Sequence, residues 1–191
     1  MKKNGYALFD LDHTLLPFDT QVLFCNFVLQ REAIRRRLYV FIFALFLPFA
    51  LLRICSLHKM KRVLSSSLWR LPEDRLRQLA RDFAEEEVPE VVYPEVLAEL
   101  KKHQQEGRVT ILNSASPDVY AKEIARVLGF DHCVATRLRI EDPMPLIPSI
   151  DGPNNKHGAK IPPMIEQGML PEGFDPERGD QLPDSYGYSD S

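Results

Sequence analysis

Cysteine is scarce in this chain, and the three present are scattered. Cys25, Cys55 and Cys133 form no C-x-x-C pair. Their apolar neighbours predict buried thiols in a reducing compartment. A secretory leader is not evident either. Lys2 and Lys3 precede only a short apolar run before Asp10 interrupts it, which predicts a cytoplasmic working face. There is no internal repeat and no low-complexity tract. No uncharged run reaches the roughly 20 residues of a membrane-spanning helix. The longest, Leu38–Leu52, has fifteen, broken only by Pro48. Net charge is small, at -3, but unevenly spread. Residues 31–70 hold nine Lys or Arg against Glu32 alone, so that stretch carries +8 and the remainder -11. Such asymmetry points to an anionic surface as partner. No motif calls for nucleic acid.

What is present is ordinary for a folded domain: 191 residues, 45% hydrophobic and 27% charged. That length predicts one domain, or one with an insertion. Tyr6-Ala7-Leu8-Phe9 is a short apolar run ending in acids and reads as a buried strand of an α/β sheet. Residues 19–37 carry helical spacing, and 72–106 read as helices with Pro72 and Pro94 at first helical positions. Gly107 marks a stop. Arg108–Asn113 reads as a second strand. Ser116 is expected to cap the next helix, with Pro117 in its first turn and its end near Gly129. His132–Thr136 reads as a third strand. Nine of the fifteen prolines fall between Pro143 and Pro183, so that stretch is mostly loop, with a helix around 159–167. Ser185–Tyr188 reads as a last strand. Strand, helix and strand in this order predict a parallel, Rossmann-like sheet built by crossovers.

Asp10 and Asp12 stand at i and i+2 immediately after the first strand, in F-D-L-D-H-T-L-L. In an α/β sheet that position opens into the crevice at the carboxyl ends of the strands, where ligands bind. A carboxylate there can act as a nucleophile on phosphorus if a cation offsets the charge it faces. A second carboxylate two residues on can handle the proton of the leaving group. Farther along, Asn113-Ser114-Ala115-Ser116-Pro117 sets a hydroxyl at a strand end ahead of a helix whose amides would face the same anion.

These segments, with Gly158-Ala159-Lys160 and Tyr188-Ser189-Asp190-Ser191, resemble in order the four motifs of the haloacid dehalogenase superfamily. The phosphoserine-phosphatase-like branch is the nearest in look. The resemblance implies a Rossmann-like core with a helical cap inserted after the first strand. The core would be residues 1–18 and 91–191, and the cap 19–90. It implies Asp10 as the nucleophile that becomes an aspartyl-phosphate, and Asp12 as general acid and then base. Thr14 would support the loop and the substrate, Ser114 would hold the phosphoryl group, and Lys160, better spaced than Lys156, would compensate charge. Mg²⁺ would be bound by Asp10, the Asp12 carbonyl and Asp190. His13 stands where many relatives have Gly, as a turn residue. Relatives carry another acid about four residues after the Asp190 position. This sequence stops at Ser191, which predicts either a truncated reading frame or a reduced metal shell and sheet.

Within the superfamily the chain most resembles the phosphatidylglycerophosphatase C group. The shared features are the D-L-D-x-T-L start, the apolar stretch 38–54 in the cap, Ser67-Leu68-Trp69 and Gly187–Ser191. That resemblance implies a phospholipid headgroup phosphate as substrate and attachment to the cytoplasmic face of the inner membrane through 38–54. Fifteen helical residues span about 22 Å, short of the roughly 30 Å hydrocarbon core. Asp10 and Ser114 flank the segment and must meet at one phosphate, so a single crossing is excluded. The segment then lies at the interface, re-enters as a hairpin bent at Pro48, or is buried in the cap. Arg35-Arg36-Arg37 before it, and Arg53, Lys59, Lys61 and Arg62 after it, favour anionic lipid at about 1 kcal/mol each. Two other readings stay open: a soluble phosphatase of small phosphomonoesters, and a catalytically weak binding module.

Overall fold

Tyr6-Ala7-Leu8-Phe9 forms a strand because its alternating side chains meet two apolar layers. The computed structural model describes residues 5–37, 39, 44, 64–151, 162–170, 173–175 and 178–189. In it, strand β1 (Tyr6–Phe9) buries Ala7 and Phe9 fully on one face and Tyr6 and Leu8 partly on the other. β1 pairs in parallel with β2 (Val109–Pro117) on one side and with β4 (Tyr186–Tyr188) on the other. β3 (His132–Thr136) lies outside β2, giving the order β3-β2-β1-β4. Phe9 is level with Leu112 and with Tyr188, so the central strand ends between two neighbours that end with it or run on beside it. The parallel α/β sheet expected from the sequence is thus the observed one.

Helices α1 (Thr20–Arg31), α2 (Glu73–Glu86), α3 (Val88–Val91), α4 (Pro94–Gln105) and α5 (Asp118–Leu128) cover the Ala7 and Phe9 face. α2 is amphipathic: Leu76, Leu79, Ala80, Phe83 and Ala84 are buried along one side. Each large apolar side chain so buried contributes about 1.5–3 kcal/mol. Phe83 sits edge-on to Phe24 (centroids 5.3 Å) and Phe27 (5.6 Å), which ties α2 to α1. α1, α2 and α3 therefore share one apolar cluster with β1. The other sheet face is covered by Met164 of α6 (Pro162–Glu166) and by Leu170, against Ile111 and Val134. α5 ends at Gly129 (φ 78°), where the Phe130 N–H reaches back to Ala125 O at 2.9 Å. That left-handed glycine ends the helix near Gly129, as expected from the sequence.

Three local expectations needed correction. The helix read over 19–37 is interrupted: α1 closes at Glu32 (φ -111°, ψ 81°), and 33–37 resume as a separate helical stretch. Pro72 lies just outside α2 as its cap (ψ 150°), because an extended residue there starts the helix at Glu73. β2 is longer than Arg108–Asn113. It continues through Ser114, Ala115 and Ser116 to Pro117, which pairs with Thr136 of β3. The apolar segment 38–54, apart from Tyr39 and Ala44, lies outside the described residues, as does Cys55. Among the described residues no helix is long and apolar enough to cross a membrane. Cys25 and Cys133 are free thiols, and burial pushes each up to about 12, so both are protonated and inert at neutral pH.

Candidate active site

β1 ends in a tight turn that projects two carboxylates from the carboxyl edge of the sheet. The Asp10 N–H still donates to Tyr188 O at 2.9 Å, so the β1–β4 ladder runs up to the first acid. The chain then curls around one carbonyl. Leu11 O accepts the N–H groups of Leu15 and Leu16, each at 3.1 Å, and that of Thr14 at 3.4 Å. Leu11, Leu15 and Leu16 are completely buried and anchor the turn to the core. Between them His13 is exposed and left-handed (φ 58°), the turn role expected of it. Asp10, half-buried, accepts the Leu11 N–H on Oδ1 at 2.8 Å.

Asp12 is held more extensively. Its Oδ1 accepts the main-chain N–H of Thr20 at 2.8 Å and also the Thr20 hydroxyl. Its Oδ2 accepts the Ser116 hydroxyl at 2.8 Å. Thr20 opens α1, where an amide has no partner inside the helix, and Asp12 supplies one. Asp19 caps the same helix by accepting the Val22 N–H at 3.2 Å. Ser116 reaches Asp12 because β2 stays extended through Pro117 (φ -55°, ψ 134°). The expectation that Ser116 caps a helix is therefore wrong: its hydroxyl serves Asp12, and α5 starts at Asp118 with no side-chain cap. The same extension starts α5 four residues after Ser114. Asp118 instead accepts the Leu138 N–H at 2.9 Å and pairs with Lys122.

Ser114 is completely buried, and its Oγ accepts the Ser116 N–H at 3.0 Å. The Thr14 hydroxyl is buried and has no hydrogen-bond partner among the described residues. It holds the turn by its main chain. Lys160 and Asp190 lie outside the described residues. Tyr188, two positions before Asp190, is fixed beside the site by stacking on Phe9 (4.4 Å, 7°). Among the described residues no cluster of three or more His, Cys, Asp or Glu is assembled for a metal. The oxygens at hand, the Asp10 carboxylate and the Asp12 carbonyl, are of the hard type that Mg²⁺ takes.

The turn is thus joined to β2 and α1 by Asp12. The structure links Asp12 to the Ser114–Ser116 strand end through Ser116, in a new role, and sets Asp10 at the end of the neighbouring strand β1. Thr20 is the residue that sequence reasoning missed. Its only signal was a hydroxyl directly after a capping acid, eight positions from Asp12. On the His13 side, Pro17, Phe18, Asp19, Val22, Leu23 and Asn26 line a cavity of about 330 Å³ whose walls are mostly apolar.

Known proteins resemble this chain in sequence or in fold. Protein CicA of Caulobacter vibrioides (strain NA1000 / CB15N) is 33% identical over 82 residues, which are 43% of this chain and 37% of that protein. The match thus spans little more than a third of that relative's length. A crystal structure of a protein of unknown function from Bordetella pertussis Tohama I superposes with a TM-score of 0.67 at 20% identity, over 97% of this chain and 82% of that one. A substrate-bound phosphoserine phosphatase superposes with a TM-score of 0.54 at 20% identity, over 98% and 78% of the two chains. At those identities the likeness is one of fold. The haloacid dehalogenase-like hydrolase pattern itself matches residues 7–191, from within β1 through the acidic turn to the last residue. On that match, this chain belongs to the haloacid dehalogenase-like hydrolases.

Proposed function

We propose that this chain is a phosphomonoester hydrolase whose nucleophile is Asp10. The observation that carries this reading is the convergence of Asp10, Asp12 and the Ser114–Ser116 strand end at one carboxyl edge. Asp10 attacks phosphorus, and the bond from phosphorus to the substrate oxygen breaks. Asp12 gives its proton to the departing oxygen. It then takes one from water, whose oxygen displaces Asp10 and completes inorganic phosphate. Ser114 holds a phosphoryl oxygen, and Lys160 offsets charge. Mg²⁺ fits the oxygen donors Asp10, the Asp12 carbonyl and Asp190, and when bound it would neutralise charge between nucleophile and phosphate. Residues 19–90 form the cap that screens substrates.

The substrate is, on our reading, a phosphate on a phospholipid headgroup such as phosphatidylglycerophosphate, met at the cytoplasmic face of the inner membrane. Two features support this. The open hollow beside His13 is lined by the apolar Pro17, Phe18, Val22 and Leu23, which suits a substrate with apolar mass beyond its phosphate. Ile34 is 86% exposed next to the exposed Arg36 and Arg37, a pairing that suits a lipid surface. Two other arginines of this flank are already engaged. Arg31 pairs with Glu86, and Arg35 is bonded to the Trp69 carbonyl and lies near Glu32. The test is turnover with Mg²⁺ on phosphatidylglycerophosphate in anionic vesicles and, side by side, on phosphoserine and p-nitrophenyl phosphate. Turnover of the lipid well above the soluble esters, abolished by Asp10→Asn, is the expected result. Preference for phosphoserine would replace the lipid reading. Activity surviving Asp10→Asn would remove the nucleophile assignment.

A further inference from the structure

We propose that Thr20 and Ser116 are positioning residues that hold the Asp12 carboxylate in the orientation its proton transfer requires. The inference rests on the reading of Asp12 as acid and base. It adds two residues that the motif pattern does not assign.

Both hydroxyls are out of solvent: Thr20 is 0% and Ser116 4% exposed. They come from different elements, 96 residues apart in sequence, and lie 2.8 Å from each other. Thr20 grips Oδ1 twice, through its amide at 2.8 Å and through its hydroxyl, while Ser116 grips Oδ2 at 2.8 Å. A carboxylate gripped on both oxygens, from the start of α1 and from the end of β2, cannot rotate about its terminal bond without losing a donor. It offers about four acceptor sites in all. Three are filled, which leaves about one, on Oδ2, for the proton in transit. The two hydroxyl protons are both committed to Asp12. The Thr20–Ser116 approach is therefore a contact between two oxygens drawn to one carboxylate, not a third bond. Such an arrangement is held by the acid at its centre.

Tyr120 stands just behind this group. It is 1% exposed, and its hydroxyl has no hydrogen-bond partner among the described residues. It lies near enough to Ser116 and Thr20 to feel them, but burial dominates and raises its pKa well above the ordinary tyrosine value. Tyr120 neighbours the grip without bonding the Asp12 carboxylate itself, which makes it a useful control.

General acid catalysis matters in proportion to how poorly the leaving group departs unaided. The experiment compares kcat/KM on a simple alkyl phosphate and on 2,4-dinitrophenyl phosphate. The variants are Thr20→Val, Thr20→Ser, Ser116→Ala, Tyr120→Phe and Asp12→Asn. Thr20→Val and Ser116→Ala should lose about tenfold or more on the alkyl ester and only a few-fold on the dinitrophenyl ester. Thr20→Ser, which keeps the hydroxyl, and Tyr120→Phe should keep the wild-type ratio between the esters. Equal losses on both esters in Thr20→Val and Ser116→Ala would mean a merely structural role and overturn the proposal. If Thr20→Val does not fold, Ser116→Ala decides alone, since it removes one oxygen and little volume. Discrimination in Asp12→Asn but not in the other two would sink the positioning claim and leave Asp12 as the acid. No discrimination in Asp12→Asn would remove the reading of Asp12 itself, and the proposal with it.

Discussion

Replacing Tyr120 with phenylalanine should stabilise this protein. The ring is surrounded: its centroid is 4.8 Å from that of Phe24 and 6.0 Å from that of Phe83, and both contacts survive the change. What the change removes is a buried hydroxyl without a partner among the described residues. Leaving such a group unpaired costs about 1–3 kcal/mol on the scale of protein mutations. The void left by one oxygen forfeits a few contacts of roughly 0.1–0.2 kcal/mol each. The balance is a gain of about 1 kcal/mol, or about 2–4 °C in Tm for a domain of this size. Urea unfolding followed by fluorescence, with the slope checked for constancy, measures it. A loss of about 1 kcal/mol or more in Tyr120→Phe would refute the reasoning. The hydroxyl would then be bonded to Ser116 or Thr20, and the grip on Asp12 would have a third member.

Gly5 precedes β1 with φ 79°, and a Cβ there would run into the main-chain carbonyl of Asp184, with Pro183 O 3.1 Å away. Gly5→Ala should cost well over 1 kcal/mol, because both the backbone angle and the space are wrong; urea unfolding within about 0.5 kcal/mol of wild type would contradict this. His103 carries a pH dependence. Its Nδ1 faces the Arg108 guanidinium at 3.2 Å, which can only donate, so Nδ1 accepts and Nε2–H donates to the Tyr188 hydroxyl at 2.8 Å. Burial first, and then the Arg108 charge, lower its pKa from the usual value. The unfolded chain therefore takes up this proton at a higher pH than the folded one. Stability should fall as pH drops below about 6.5 towards the lowered folded value. His103→Gln should flatten the stability profile between roughly pH 7.5 and 5.5; an unchanged slope would show that the folded imidazole titrates normally.

Much of the fold was readable because its determinants are local. Tyr6–Phe9 and His132–Thr136 are short apolar or alternating runs bounded by polar residues, and they are strands over the same residues in the structure. Gly107 and Gly129 stop helices with positive φ as expected. The errors were also instructive. Ser116 followed by Pro117 has the local pattern of a helix cap. Pairing of Pro117 with Thr136 outweighs that preference and keeps the chain extended. At the break, the Glu32 side chain accepts from Arg75 of α2 at 3.0 Å, a partner 43 residues away that local spacing does not reveal.

By itself the sequence determined the acidic pair at i and i+2 after a buried strand, and so the edge from which the chemistry issues. Residues two apart in the turn after one strand need nothing distant to define them. The tertiary structure decided how that pair is held. Asp12 is gripped by Thr20 and Ser116, which lie 8 and 104 residues from it. A carboxylate collects donors from whatever parallel strand and helix start the sheet order β3-β2-β1-β4 sets beside it. Spacing along the chain carries no trace of that neighbourhood.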